Sequence, residues 1–164
     1  MVLRLLLLAF VLSSLFGCAD YRPLYGQNDA GHSVSADLAG IAVEEQRTRV
    51  GQVVRNDLLS GLGANPAARY SLRLTPVEKI IPVSSFSTQL PSRYRYNLVV
   101  AYSLVNLATG KTVTSGKSFS NVSYDNIAQP VSDLSAMNNA MERAAHEVAQ
   151  DLRQRIAATL FSAK

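Results

Sequence analysis

The chain has 164 residues, with 16 Lys and Arg against 12 Asp and Glu, a formal charge of +4, and one cysteine. A lone cysteine excludes an intrachain disulfide, and with only two histidines the chain offers few soft metal ligands. The length is that of a single domain able to bury its own core, and the mild basic excess suits an anionic partner such as lipid phosphates.

The N-terminus reads Met1-Val2-Leu3-Arg4, followed by an unbroken apolar run from Leu5 to Leu12 and then Ser13, Ser14, Leu15, Phe16, Gly17 and Cys18. One positive charge, a short apolar stretch and small residues before a cut site form a secretory signal pattern. As a helix, residues 5–16 would extend only about 18 Å, well short of a hydrocarbon core roughly 30 Å thick. The stretch Leu15-Phe16-Gly17-Cys18 resembles the lipobox of bacterial lipoproteins. It implies cleavage before Cys18, a diacylglycerol thioether on that sulfur and a third acyl chain, such as palmitate, on the new amino terminus. Two or more chains anchor a protein stably where one does not. Ala19 follows the cysteine, and by the enteric sorting rule a residue other than aspartate there implies the outer membrane. Export argues against a nucleic-acid partner. Residues 1–17 are thus expected to be a signal peptide, and 18–36 a lipidated tether whose Tyr21, Leu24 and Tyr25 could dock. Residues 37–164 form the folded domain.

Within the domain, Leu38 to Val43 is a short apolar piece predicted as a first strand. From Thr48 to Leu62, Val50, Val53, Val54, Leu58 and Leu62 recur at helical spacing, and Gly63 and Pro66 supply a stop. Tyr70, Leu72 and Leu74 alternate with Ser71, Arg73 and Thr75, a strand with one buried face. Pro76 and Pro82 are expected to end its regular ladder at Thr75, with a polar loop from Ser84 to Ser92. The segment from Arg93 to Leu107 carries Tyr94, Tyr96, Leu98, Val100, Tyr102 and Leu104 on one face. Its other face passes from Arg93, Arg95 and Asn97 to Val99, Ala101 and Val105, which predicts cover on both sides at one end. Ala108-Thr109-Gly110-Lys111 is a tight turn leading into a partner strand from Thr112 to Tyr124. After Pro130, with Ser132 or Asp133 as cap, an apolar stripe from Leu134 through Met137, Met141, Ala144, Ala145, Val148, Leu152, Ile156 and Leu160 predicts a helix of about seven turns. The elements assemble into an α+β two-layer sandwich: a four-stranded, mainly antiparallel sheet with two helices packed on one face.

No catalytic constellation is found. His32 lies in the tether, and His146-Glu147 is a dipeptide on a solvated helix face. Ser115-Gly116-Lys117-Ser118 has the tail of a phosphate-binding loop, but Lys111 stands where its first glycine should be and a strand follows instead of a helix. There is no G-x-S-x-G, and a strand stripe of tyrosines is core before it is a sugar platform. No metal and no cofactor are expected.

Cys18 with Tyr21-Arg22-Pro23-Leu24-Tyr25-Gly26, and Val50-Gly51-Gln52-Val53-Val54-Arg55-Asn56-Asp57-Leu58 at the first helix, resemble the LptE family of lipopolysaccharide-assembly lipoproteins. The Tyr96-rich strand, the hairpin, Tyr124-Asp125-Asn126 and the long last helix follow in that family's order. The resemblance implies a non-enzymatic lipoprotein at the cell outer membrane, facing the periplasm. Its partner would be the LptD β-barrel, which it plugs and helps assemble, and it would bind lipopolysaccharide. Phosphates and acyl chains call for Arg and Lys beside apolar surface. The candidates are Arg73, Arg93, Arg95, Lys111 and Lys117. The alternative is an auxiliary lipoprotein of another envelope transport system, either a lipid ABC transporter or a secretion-channel pilotin.

Overall fold

The computed structural model describes residues 34–63, 67–84 and 93–162. In chain order the elements are α1 (Val34–Ala39), β1 (Ile41–Val43), α2 (Arg49–Leu62), β2 (Tyr70–Ser84), β3 (Arg93–Asn106), β4 (Thr112–Asp125) and α3 (Pro130–Ser162). The strands form one sheet in the order β1-β2-β3-β4. β1 runs parallel to β2, and the other two pairs are antiparallel. The expected two-layer α+β sandwich is present, with α1 as a short third helix.

Local signals explain most boundaries. Thr48 caps α2, its side chain accepting from the Gly51 N–H at 3.2 Å. A Cβ on Gly51 would come within 2.8 Å of that Thr48 Oγ1 and 2.9 Å of Gln46 Oε1, so the cap needs glycine there. Gly63 ends the helix at φ 83°, a conformation a side chain rarely adopts. In the β3–β4 turn Gly110 has φ 68°, and Asn106 Oδ1 accepts from the Ala108 and Thr109 N–H groups at 2.9 and 3.2 Å. α3 begins at Pro130, so Ser132 and Asp133 lie inside its first turn and neither is the expected cap. Asp133 Oδ1 accepts from the Ile127 N–H at 2.9 Å, tying the β4–α3 connection to the first turn.

The core lies between one sheet face and the helices. It contains Leu72 and Leu74 of β2, Tyr96, Leu98, Val100, Tyr102 and Leu104 of β3, and Val122 of β4. These meet Val50, Val54, Leu58 and Leu62 of α2 and the Ala144, Val148, Leu152, Ile156 stripe of α3. α3 packs chiefly on β4 and α2. Small residues allow this close approach. Ser118 and Ser120 are buried in β4 and donate to Asp151 Oδ2 at 2.6 Å and Glu147 Oε2 at 2.5 Å. Each buried hydroxyl is thereby paired, as burial requires.

Three expectations need correction. Leu38 belongs to α1, not to a strand. Only Ile41–Val43 pairs, because Leu38 is buried from a helical turn that Asp37, itself buried, holds by an ion pair to Arg69 at 2.6 Å. The β2 ladder does not stop at Thr75 but continues to Ser84, with Pro76 opposite Val100 and Pro82 opposite Tyr94. The Leu72 carbonyl accepts from the Glu44 N–H on the outer side, and alternation then turns the backbone of residues 74, 76, 78, 80 and 82 outward as well. Both prolines therefore sit where no ladder donor is required. Finally, the second face of β3 is not covered by any described element, and Val99 stays 37% exposed. The loop at 85–92 and residues 18–33 of the expected tether lie outside the described residues, while residues 34–36 belong to α1.

Candidate functional site: the open face of the sheet

Between the register shifts near Val83 and Val113, the face of the sheet away from the helices carries the odd-numbered residues of β2, β3 and β4. Register places Val77 opposite Val99 and Val99 opposite Phe119. This makes an apolar row across three strands, with Val77 61% and Phe119 67% exposed. A phenylalanine presented in this way is the informative exception to burial, since Ser118 and Ser120 beside it point into the core. Ala101 extends the row on one side.

Cations flank it. Lys117 pairs with Ala101, one step from the row. Lys79 lies opposite Asn97 on the other side, and Arg95 lies opposite Ser123 one step farther. Successive same-face residues are roughly 6.6 Å apart along a strand, so all three charged heads have the reach to meet a ligand lying on the row. Among the described residues, none of these three has an ion-pair partner. Arg73 and Arg93 occupy the same face but are engaged. Arg73 Nε donates to Glu44 Oε2 at 3.1 Å, and Arg93 Nε to Asp125 Oδ1 at 2.8 Å. The Arg93 hydrogen bond and charge hold the Asp125 carboxyl below its ordinary value. Lys111 stands in the exposed turn at the other end of the hairpin, beyond Arg73.

Four of the five candidate cations thus share one face, and two of them, Arg95 and Lys117, are unpaired among the described residues. Lys111 is not part of the arrangement. The sequence reading missed Lys79 and Val77, because it ended the β2 ladder at Pro76. It did not single out Phe119 as surface, although the Ser118-Phe119-Ser120 alternation carries that signal. Cys18 and His32 lie outside the described residues.

Among the described residues the helix side offers no reactive cluster. His146 Nδ1 lies 3.3 Å from Asp57 and its Nε2 2.8 Å from Gln150 in a surface cluster between α2 and α3. No group of metal-ligating residues occurs among the described ones. The Tyr96 hydroxyl donates to Glu78, and burial, followed by that carboxylate, pushes its pKa up. A proton so firmly held makes it a structural donor. No helix among the described residues is long and apolar enough to cross a membrane.

Comparison with known proteins agrees with this architecture. The model of a family described as LptE, lipopolysaccharide-assembly, matches residues 38–156. No curated protein sequence matches. Among solved structures, a lipoprotein from Caulobacter crescentus is similar with a TM-score of 0.68 and 26% identity, over 80% of this chain and 97% of that one. The rare lipoprotein B from Shewanella oneidensis (TM-score 0.56, 16% identity, 74% of this chain and 95% of the other) shares the fold. So does a minor lipoprotein from Acinetobacter baumannii (0.54, 13%, 72% and 88%). The matched segment runs from Leu38 to Ile156, taking in the whole sheet, α2 and most of α3, and the chain therefore belongs to the LptE lipopolysaccharide-assembly family.

Proposed function

We infer that this protein is a lipid-anchored outer-membrane component that partners an LptD-like β-barrel, sits as a plug in its lumen, assists its assembly, and takes lipopolysaccharide on the open face of its sheet. The observation that carries the ligand reading is the apolar row Val77, Val99, Phe119 bordered by Lys79, Arg95 and Lys117, cations without an ion-pair partner among the described residues. An amphiphile with phosphates and acyl chains needs both surfaces side by side. Basic side chains satisfy the phosphates by charge-assisted hydrogen bonds, and the row removes acyl surface from water. A single packed domain with a polar exterior also suits the polar interior of a large barrel. The signal segment 1–17 and lipidation of Cys18 supply the anchor in this account, and residues 37–164 the plug.

The test has two arms. Affinity purification of the full lipoprotein from detergent-solubilised outer membranes should recover a large β-barrel protein. Recovery of an inner-membrane ATPase complex instead would assign it to another envelope transport system. Separately, the double variant Lys117→Glu, Arg95→Glu should bind purified lipopolysaccharide at least ten-fold more weakly while keeping its circular dichroism spectrum. Unchanged binding would remove the open face from the site.

A further inference from the structure

The two long edges of the sheet are built differently. On β2, beyond the three-residue β1, the outward backbone positions include Pro76 and Pro82, which present no N–H to an incoming strand. Proline on an edge is a recurrent way to prevent strand addition. On β4 the orientation can be followed from the same start. The Leu72 carbonyl faces β1, so the even residues of β3 face β4 and bond to even residues of β4. The backbone N–H and C=O groups of Ser115, Lys117, Phe119, Asn121 and Ser123 then point away from the sheet. A side-chain contact agrees with this parity: Arg143 Nη2 donates to the outward Ser123 O at 3.5 Å. From Ser115 to Asn121 the edge has no proline and no backbone partner among the described residues.

We propose that β4 is an acceptor edge for an added strand, and that its partner is an extended polypeptide segment with small residues on one face and acidic and apolar residues on the other. Charge and shape on the two sides of β4 fix that pattern. Side chains of the added strand that share the open face meet Phe119 and the unpaired Lys117, with Arg95 one strand farther, so they are apolar or acidic. Those on the opposite face pass under α3, whose Arg143, Glu147 and Asp151 reach down onto β4, so they are small. A second copy of this chain does not fit. Paired strands lie about 4.8 Å apart, whereas packed helices need about 8–10 Å between axes, and α3 sits chiefly over the edge strand itself. Backbone recognition of this kind takes its affinity from main-chain hydrogen bonds and its selectivity from alternate side chains. It holds whichever amphiphile the open face carries.

Amide hydrogen exchange on the full-length lipoprotein in detergent micelles tests this directly. The probes are a synthetic peptide alternating threonine with valine and glutamate, and a scrambled peptide of the same composition. In the free protein the outward amides of Lys117, Phe119 and Asn121 should exchange fast while those of Ser118, Ser120 and Val122 are protected. Saturation with the alternating peptide should slow the three outward amides at least ten-fold, and the scrambled peptide should not. Asn121→Pro, which deletes one outward donor and leaves the β3 ladder intact, should abolish that protection with Ser118 and Ser120 still slow. Lys117→Glu, which keeps the backbone, should weaken binding several-fold. Outward amides already protected in the free protein would mean that the edge is filled by the chain itself, and would overturn the proposal. So would undiminished peptide binding by both variants, or a β4-dependent dimer in sedimentation.

Discussion

Leu98 and Phe119 lie one strand and one residue apart yet face opposite sides of the sheet, so truncating each should have opposite consequences for stability and for binding. Leu98 is fully buried at the centre of the core, and Leu→Ala at such a site costs roughly 2–5 kcal/mol through lost transfer energy and the cavity left behind. Phe119 keeps 67% of its surface in water. If its side chain offers about 200 Å², only a third, some 65 Å², is lost to solvent by folding. At about 25 cal/mol/Å² that amounts to roughly 1.5 kcal/mol at most, and threonine, a good strand former, recovers part of it. Urea unfolding with a slope of about 1.5 kcal/mol/M should therefore lower the midpoint by roughly 2 M for Leu98→Ala and by less than 1 M for Phe119→Thr. Lipopolysaccharide titration should reverse the order: Phe119→Thr loses at least five-fold in affinity, and Leu98→Ala, measured where it is folded, does not. A Phe119→Thr midpoint as low as that of Leu98→Ala would show that part of the fold covers this face, and the reasoning about the apolar row would fail.

Asp151 accepts from Ser118 and from Arg155, at 2.6 and 2.7 Å. Burial alone would raise its pKa, but the Ser118 and Arg155 hydrogen bonds outweigh it, so the net shift is downward. A carboxyl with a lowered folded pKa contributes stability that is full above its unfolded value and is lost as pH falls through the folded one. Asp151→Asn should therefore cost about 1 kcal/mol at neutral pH, discounted for its partial exposure, and the difference from wild type should begin to shrink only as the pH falls below about 4, the ordinary carboxylate value. Chemical denaturation across this pH range checks this. Gly→Ala in a helix ordinarily gains roughly 0.5–1 kcal/mol, but Gly51→Ala should give no gain. Its Cβ would fall 2.8 Å from the capping Thr48 Oγ1, and a lost cap costs about 1 kcal/mol. A raised urea midpoint would contradict the steric account. Cys18→Ala should leave the protein in the soluble periplasmic fraction, and sedimentation of the variant with membranes after a salt wash would refute a lipid anchor at that residue.

Much of the fold was legible because its signals are local and periodic. The alternation in β3, the α2 stripe with its Thr48 cap, and the α3 stripe each name one buried face, and three amphipathic elements of that kind leave few arrangements. The extent of β2 was not legible, because proline ends a central ladder but not an edge one, and only the pairing partner tells which edge a strand occupies. That single misreading removed Val77 and Lys79 from view, and with them one of the three residues of the apolar row and one of its flanking cations. α1 was hidden for a related reason: Leu38, Ile41 and Val43 are all buried, and a run so short reads as a strand whether or not its first part is helical. The grouping of Arg95 with Lys117, and the separation of Lys111 from both, depends on register across the hairpin, which residue spacing within one strand does not fix.

The central claim, that the open face of the sheet meets lipopolysaccharide in the envelope, is most directly tested by placing a photoreactive amino acid at position 119 in living cells. After irradiation, the account predicts an adduct that reacts with antibody to lipopolysaccharide, and no such adduct when the same group replaces exposed Gln154 on the outer side of α3. Crosslinking to lipopolysaccharide from position 154 with none from position 119 would contradict it.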